Sequence, residues 1–252
     1  MVDIHSHILY GIDDGAKSLE QSLAMVRMAA DCGTTDIVAT PHSDLKYRFQ
    51  PEVIAARIVE LQEQVGDRIK IHRGCDFHLH IDNLRSSYQD PSRYTINGLR
   101  YLMVEFADQQ IPKTATQLLQ ELLAYGMTPV VTHPERNKLL LGMMDSLVEW
   151  IRMGCLMQVT GQSFLGRFGR TAEAGARDLL DKNMVHFVAS DAHDTEHRPP
   201  DLRGPYAFVA KEWGKPVAEK LFVENPRATL TGAEIEYEEP AAAKKKSGWK
   251  LW

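Results

Sequence analysis

The chain has 252 residues, 44% of them hydrophobic and 25% charged, with a formal net charge of −5. That balance suits one large globular α/β domain and argues against the phosphate backbone of nucleic acid as a partner. No signal-peptide core stands near the N-terminus and no apolar run reaches the roughly 18 residues of a membrane span, so a cytoplasmic protein is expected. Cys32, Cys75 and Cys155 are scattered, form no CxxC pair, and none has an arginine six residues later. A disulfide framework and a Cys-x5-Arg phosphatase loop are both excluded.

Strand and helix periods alternate along the chain. Val2–His5 reads as a strand. Ser18 is placed to cap the following helix, with Gln21 at the capping-box position and Leu19, Leu23, Val26 and Ala30 on one face until Gly33 stops it. Asp36–Thr40 is a second strand. Pro51 opens a second helix that carries Ile54, Ile58, Leu61 and Val65. Further strands are predicted at Ile69–Arg73, Tyr101–Glu105, Pro129–Thr132, Leu156–Val159 and Val185–Ala189, and helices near 113–125, 143–153, 171–182 and 205–223. Gly126 and Gly154 fall where helix C-caps belong. Such alternation predicts a parallel sheet, and seven units suit a closed or nearly closed barrel. Residues 1–235 are expected to form this single domain. Residues 236–252, acidic and then basic and aromatic, are expected to be a disordered tail, with weak contact to a membrane surface as the sharper alternative.

The chemistry-bearing residues sit at strand ends. Asp3-Ile4-His5-Ser6-His7 opens the chain and Ala189-Ser190-Asp191-Ala192-His193 lies near its far end. Between them His42, Asp76, Glu105 and His133 each follow an apolar run. Imidazole and carboxylate are donors for zinc, manganese and iron, and an H-x-H pair on a strand turns two imidazoles to one side. The C-terminal ends of barrel strands are where such folds carry their chemistry. His72, His186 and His197 are assigned no ligand role, and His78 and His80 are expected in a loop at the pocket edge rather than on a metal.

The pattern D-I-H-S-H…D-D-G, T-P-H, V-E-F, V-V-T-H-P-E-R and A-S-D-A-H…R-P-P resembles the polymerase and histidinol phosphatase (PHP) superfamily. Within it the chain is most similar to bacterial manganese-dependent tyrosine-protein phosphatases of capsule and exopolysaccharide operons, from Met1 to about Leu230. The resemblance implies a distorted (β/α)7 barrel, TIM-like, holding two or three divalent ions, Mn²⁺ first and Fe²⁺ or Zn²⁺ as alternatives. It implies His5, His7 and Asp191 on one ion, Glu105 and His133 on a second, and Asp14, His42 and His193 on a third. Asp76 stands where the family usually has a bridging glutamate, one methylene longer. Arg136 and Arg198 match arginines that hold the phosphoryl group, and a guanidinium fork suits phosphate oxygens. The implied activity is hydrolysis of phosphotyrosine in protein by a metal-bound hydroxide, the substrate being the tail of a partner bacterial tyrosine kinase. Two alternatives are hydrolysis of small phosphoesters such as histidinol phosphate and a non-catalytic phosphopeptide-binding metal scaffold. Hydrolysis of C–N or C–O bonds and a nuclease role are less favoured, because the arginine pair suits a charged substrate and the net charge is acidic.

Overall fold

A computed structural model describes residues 1–241. In chain order, β1 (Val2–Ser6) leads to α1 (Leu19–Asp31), then β2 (Asp36–Ala39), β3 (His42–Ser43) and α2 (Pro51–Val65). Next come β4 (Lys70–Arg73), β5 (Asp76–His78), α3 (Ile81–Gln89), β6 (Tyr101–Glu105), α4 (Ala115–Ala124) and β7 (Thr128–Thr132). The rest is α5 (Lys138–Leu141), α6 (Met144–Arg152), β8 (Leu156–Thr160), α7 (Gly169–Asp181), β9 (Phe187–Ala189), α8 (Arg203–Glu212), α9 (Lys215–Glu219) and α10 (Asn225–Thr231). Ser18 caps α1 as expected, accepting from Gln21 N–H, but the Gln21 side chain takes the Lys17 N–H rather than that of Ser18.

Every strand pairing is parallel, in the orders β1-β2-β4 and β3-β5-β6-β7-β8-β9. β2 and β3 are one strand position broken at Pro41, which has no N–H to give a ladder. β4 and β5 are likewise one position, broken at Gly74-Cys75. A Cβ on Gly74 would lie 2.9 Å from Val38 Cγ1 of β2 and 3.1 Å from Thr40 Cγ2, so any larger residue would have to push those side chains aside. Among the described residues seven strand positions result, matching the units counted in the sequence. The ring comes round without a full closing ladder. Ser6 bridges Ala192, Asp191 N–H donates to His5 O at 2.8 Å, and His7 N–H donates to Ala192 O at 2.8 Å.

Alternation along the strands sorts the core into two layers. Tyr101, Met103, Val130, Leu156, Phe187 and Ala189 share one buried cluster inside the ring. Leu102, Val104, Val131, Met157, Val159 and Val188 face outward onto Leu119, Leu122, Trp150 and Leu179 of the helices. Each large side chain so buried stabilises the fold by about 1.5–3 kcal/mol. The inner positions toward the C-terminal end of the ring change from apolar to Glu105 and Gln158, and that change marks the site.

His186 precedes β9 and accepts the Met157 N–H at 3.0 Å. Burial first, then the Lys220 charge, lowers it from 6.5 to about 3. The unfolded chain therefore binds a proton that the folded chain refuses. The stability this group contributes is complete above pH 6.5 and is lost as pH falls toward 3, by up to about 1.4 kcal/mol per pH unit. Between pH 6.5 and 4, thermal unfolding of His186→Gln should shift less steeply with pH than that of the parent. Parallel curves would show that His186 does not titrate on unfolding.

The stretch after Ile235 is docked as far as it is described. Tyr237 Oη donates to Ile151 O at 2.9 Å, its ring stands edge-on to His186 at 4.8 Å, and Ala241 N–H donates to Lys182 O at 2.9 Å. Lys244–Lys246 and Trp249–Trp252, to which the membrane-surface expectation refers, lie outside the described residues. No helix among the described residues is long and apolar enough to cross a membrane.

Candidate metal centre

The nine expected ligands meet in one cluster at the C-terminal edge of the strands. His5 Nε2 lies 3.5 Å from Asp76 Oδ2 and 3.6 Å from Asp191 Oδ1. His7 Nε2 lies 3.4 Å from Asp191 Oδ1 and 3.4 Å from His5 Nε2. Asp14 Oδ1 faces His42 Nε2 at 3.3 Å and His193 Nε2 at 3.5 Å. Glu105 divides its oxygens, Oε1 standing 3.5 Å from His133 Nε2 and Oε2 3.3 Å from His42 Nδ1. Asp76 is central, its Oδ2 within 4 Å of His5, His7 and His42.

The groupings differ in detail from those implied by the resemblance. His7, Asp14, His42 and His193 form one set, which is the expected third site with His7 added. His5, His133 and Asp191 form another, so His133 stands between the His5 side and Glu105. Asp76 joins both His5–His7 and His42–His78–Glu105. His78 was expected in a loop at the pocket edge. It is instead the last residue of β5, with Nε2 2.6 Å from Glu105 Oε2.

Two ligand positions are held in unusual backbone. His133 has φ 34° and Asp191 φ 51°, a region that residues with a Cβ seldom occupy. His133 directly follows β7 and Asp191 stands two residues past β9, where a left-handed residue re-aims its side chain into the rim.

Partners behind the imidazoles fix their tautomers. Asp13 Oδ2 accepts from His7 Nδ1 at 2.7 Å, and Gln158 Oε1 is 2.8 Å from His5 Nδ1. Both rings therefore turn Nε2 to the cavity, and its lone pair is free for a cation that displaces the proton there. Neither Asp13 nor Gln158 was singled out from sequence. Gln158 carried a usable signal, since it is the one polar side chain in the run Leu156–Val159, but Asp13 was masked by its neighbour Asp14. Asp13→Ala is expected to weaken metal binding by about 10–100-fold, measured by competition with a chromophoric chelator. Unchanged affinity would mean that packing alone orients His7.

The charges suit cations. Both oxygens of Asp76, Glu105 Oε2, His42 Nδ1 and His193 Nε2 are buried without a hydrogen-bond partner, a condition that costs energy unless something else satisfies them. These donors fit a borderline divalent cation. Burial alone would raise the Asp191 carboxyl, but the Arg136 and Arg198 guanidinium groups overcome it and hold it well below the usual range. Both arginines donate to Asp191 Oδ2, and Arg136 also lies 4.3 Å over the Phe168 ring. Burial would likewise lower His5, yet the Asp191 and Asp76 charges bring it up to about 9. His133 goes the other way, to about 4, through burial and the Arg136 charge. Cys75 is buried with its thiol raised well above the usual value, which makes it a poor nucleophile.

A ring of parallel strands with clustered imidazoles and carboxylates at one edge, flanked by two guanidinium groups, defines the class: a barrel-like α/β protein with a candidate divalent-metal site at its rim. The chain belongs to the capsular polysaccharide synthesis CpsB/CapC family, whose pattern matches residues 1–231. The family anticipated from the motifs is thus the one found. Tyrosine-protein phosphatase CpsB of Streptococcus pneumoniae is 33% identical over 239 residues, covering 91% of this chain and 98% of that protein. Tyrosine-protein phosphatase YwqE of Bacillus subtilis is 30% identical over 250 residues, covering 98% of each. A solved structure from work on YwqE and CpsB, described as unique metal-dependent tyrosine phosphatases, superposes with a TM-score of 0.89 at 29% identity, over 97% of this chain and 100% of the other.

Proposed function

We propose that this protein is a metal-dependent phosphatase that removes phosphate from tyrosine in a protein substrate. The observation that carries the reading is the placement of Arg136 and Arg198, which reach one carboxylate oxygen of Asp191 from two sides at the mouth of the His–carboxylate cavity. Two forked donors converging beside a cation site suit an oxyanion with several equivalent oxygens. Full-length similarity to tyrosine-protein phosphatases supports the same reading.

In this reading His5, His7, Asp14, His42, Asp76, Glu105, His133, Asp191 and His193 would hold two or three divalent ions, Mn²⁺ first. Bound cations supply charge neutralisation and an acidified water. Arg136 and Arg198 bind the phosphoryl oxygens and hold phosphorus in line, meeting negative charge as it grows on those oxygens. Gln158 and Asp13 keep the imidazole lone pairs aimed at the cavity. A phenol, with a pKa near 10, leaves without a dedicated proton donor. Beside Glu105 a cavity of about 310 Å³ is lined by Leu45, Leu79, Phe106, Ala107 and Pro112, and its apolar wall suits the tyrosine ring.

The physiological substrate is proposed to be a bacterial tyrosine kinase of capsule or exopolysaccharide synthesis, met in the cytoplasm. The test is turnover of a phosphotyrosine peptide against histidinol phosphate by metal-loaded protein. The peptide should be the better substrate. Hydrolysis of histidinol phosphate alone would move the protein to the small-phosphoester reading, and binding of the peptide without turnover would make it a scaffold.

A further inference from the structure

β3, β5 and β6 are neighbours, and their parallel register sets His42 opposite Asp76 and His78 opposite Glu105. Asp76 and His78 are two apart on β5 and so share one face. The four side chains form the corners of a small patch, with one potential ligand atom from each within 4.8 Å of the others.

His78 Nε2 and Glu105 Oε2 are only 2.6 Å apart, yet both are buried without a hydrogen bond. Two acceptors this close repel unless a proton or a cation stands between them, so the pair calls for a positive charge at that point. Histidines with structural roles behave differently here. His80 accepts from Asp82 N–H at the start of α3, His186 accepts from Met157 N–H, and His72 meets Asp36 at 2.9 Å and Asn97 at 3.2 Å.

A count of lone pairs sharpens the point. A neutral imidazole has one. His42 turns Nε2 toward Asp14 and Nδ1 toward Asp76 and Glu105, so it can ligate on one side only. If it serves Asp14 and His193, the nitrogen donor that remains in the group with Asp76 and Glu105 is His78, while His5, His7 and His133 meet the two carboxylates from the other groups.

We infer that His78 is a metal ligand in this chain, binding a divalent cation together with Asp76 and Glu105 and leaving His42 to the Asp14–His193 set. One nitrogen and two carboxylates make a net −2 site suited to a borderline divalent ion. The inference rests on the rim being a metal centre, and it extends the ligand set to the cation nearest the apolar cavity.

The experiment uses full-length protein loaded with Co²⁺, read by metal content and by the visible d–d spectrum. His78→Ala should lose about one equivalent of tightly held metal or hold it about tenfold more weakly, and its spectrum should change. Added imidazole should restore the parent spectrum, which a merely structural role would not allow. His80→Ala, the other half of the H-x-H pair, should match the parent. His78→Gln, with circular dichroism on each variant, covers a failure of the alanine form to fold. Parent-like stoichiometry, affinity and spectrum in His78→Ala and His78→Gln would overturn the inference while leaving the metal centre intact. A parent protein that takes up no Co²⁺ would overturn both.

Discussion

Asp191→Ala is expected to strip metal from the rim and lower turnover of a phosphotyrosine peptide by at least about a thousandfold. No other side chain in the cavity meets so many partners. One oxygen faces His5, His7 and His193, and the other receives both Arg136 and Arg198. Its removal takes a donor from the His5–His133 set and leaves two guanidinium groups without their carboxylate. Metal content and activity should fall together in a protein whose far-ultraviolet spectrum is unchanged. A variant that kept its metal and its rate would place the chemistry elsewhere.

Arg136→Ala is expected to reduce kcat/KM for the same peptide by about 10²–10³-fold, in the range found when a single preorganised charge donor is removed. Metal content should stay near that of the parent, because Arg136 donates hydrogen bonds and offers no lone pair to a cation. Arg136→Lys should recover little. An ammonium cannot reproduce the fork, and the stacking on Phe168 that holds the guanidinium in place would be lost. Full activity in Arg136→Ala would argue for an uncharged substrate and revive C–N or C–O hydrolysis on the same barrel.

The two predictions separate the layers of the site. Asp191 is tested as part of what holds the cations, Arg136 as part of what holds the substrate. Asp13, tested through metal affinity, belongs behind both.

Strand positions were legible because apolar runs ending in His, Asp or Glu are unusual. A buried strand has no reason to end in an ionisable group unless that end is a working rim. Ser18, Pro51 and Gly126 marked helix ends through local backbone chemistry that needs no tertiary partner. α3 was missed for the opposite reason. It buries Asn83, Leu84 and Ser87 and leaves Ile81 exposed, so its hydrophobic period is faint. Asn83 is held by side-chain bonds to Ser43 and His78 O, which only folding supplies.

The sequence by itself determined the alternation of seven strand units with most of their helices, the donor types at each strand end and the family, because these depend on local spacing and residue chemistry. Tertiary structure alone decided which donors share a cation position. Register across β3, β5 and β6 brings His78 onto Glu105, and left-handed backbone at His133 and Asp191 swings those side chains into the cavity. Spacing along a chain fixes which way a side chain faces on its own strand. Its neighbours across the ring are set by pairing between residues far apart in sequence, and no local pattern carries that information.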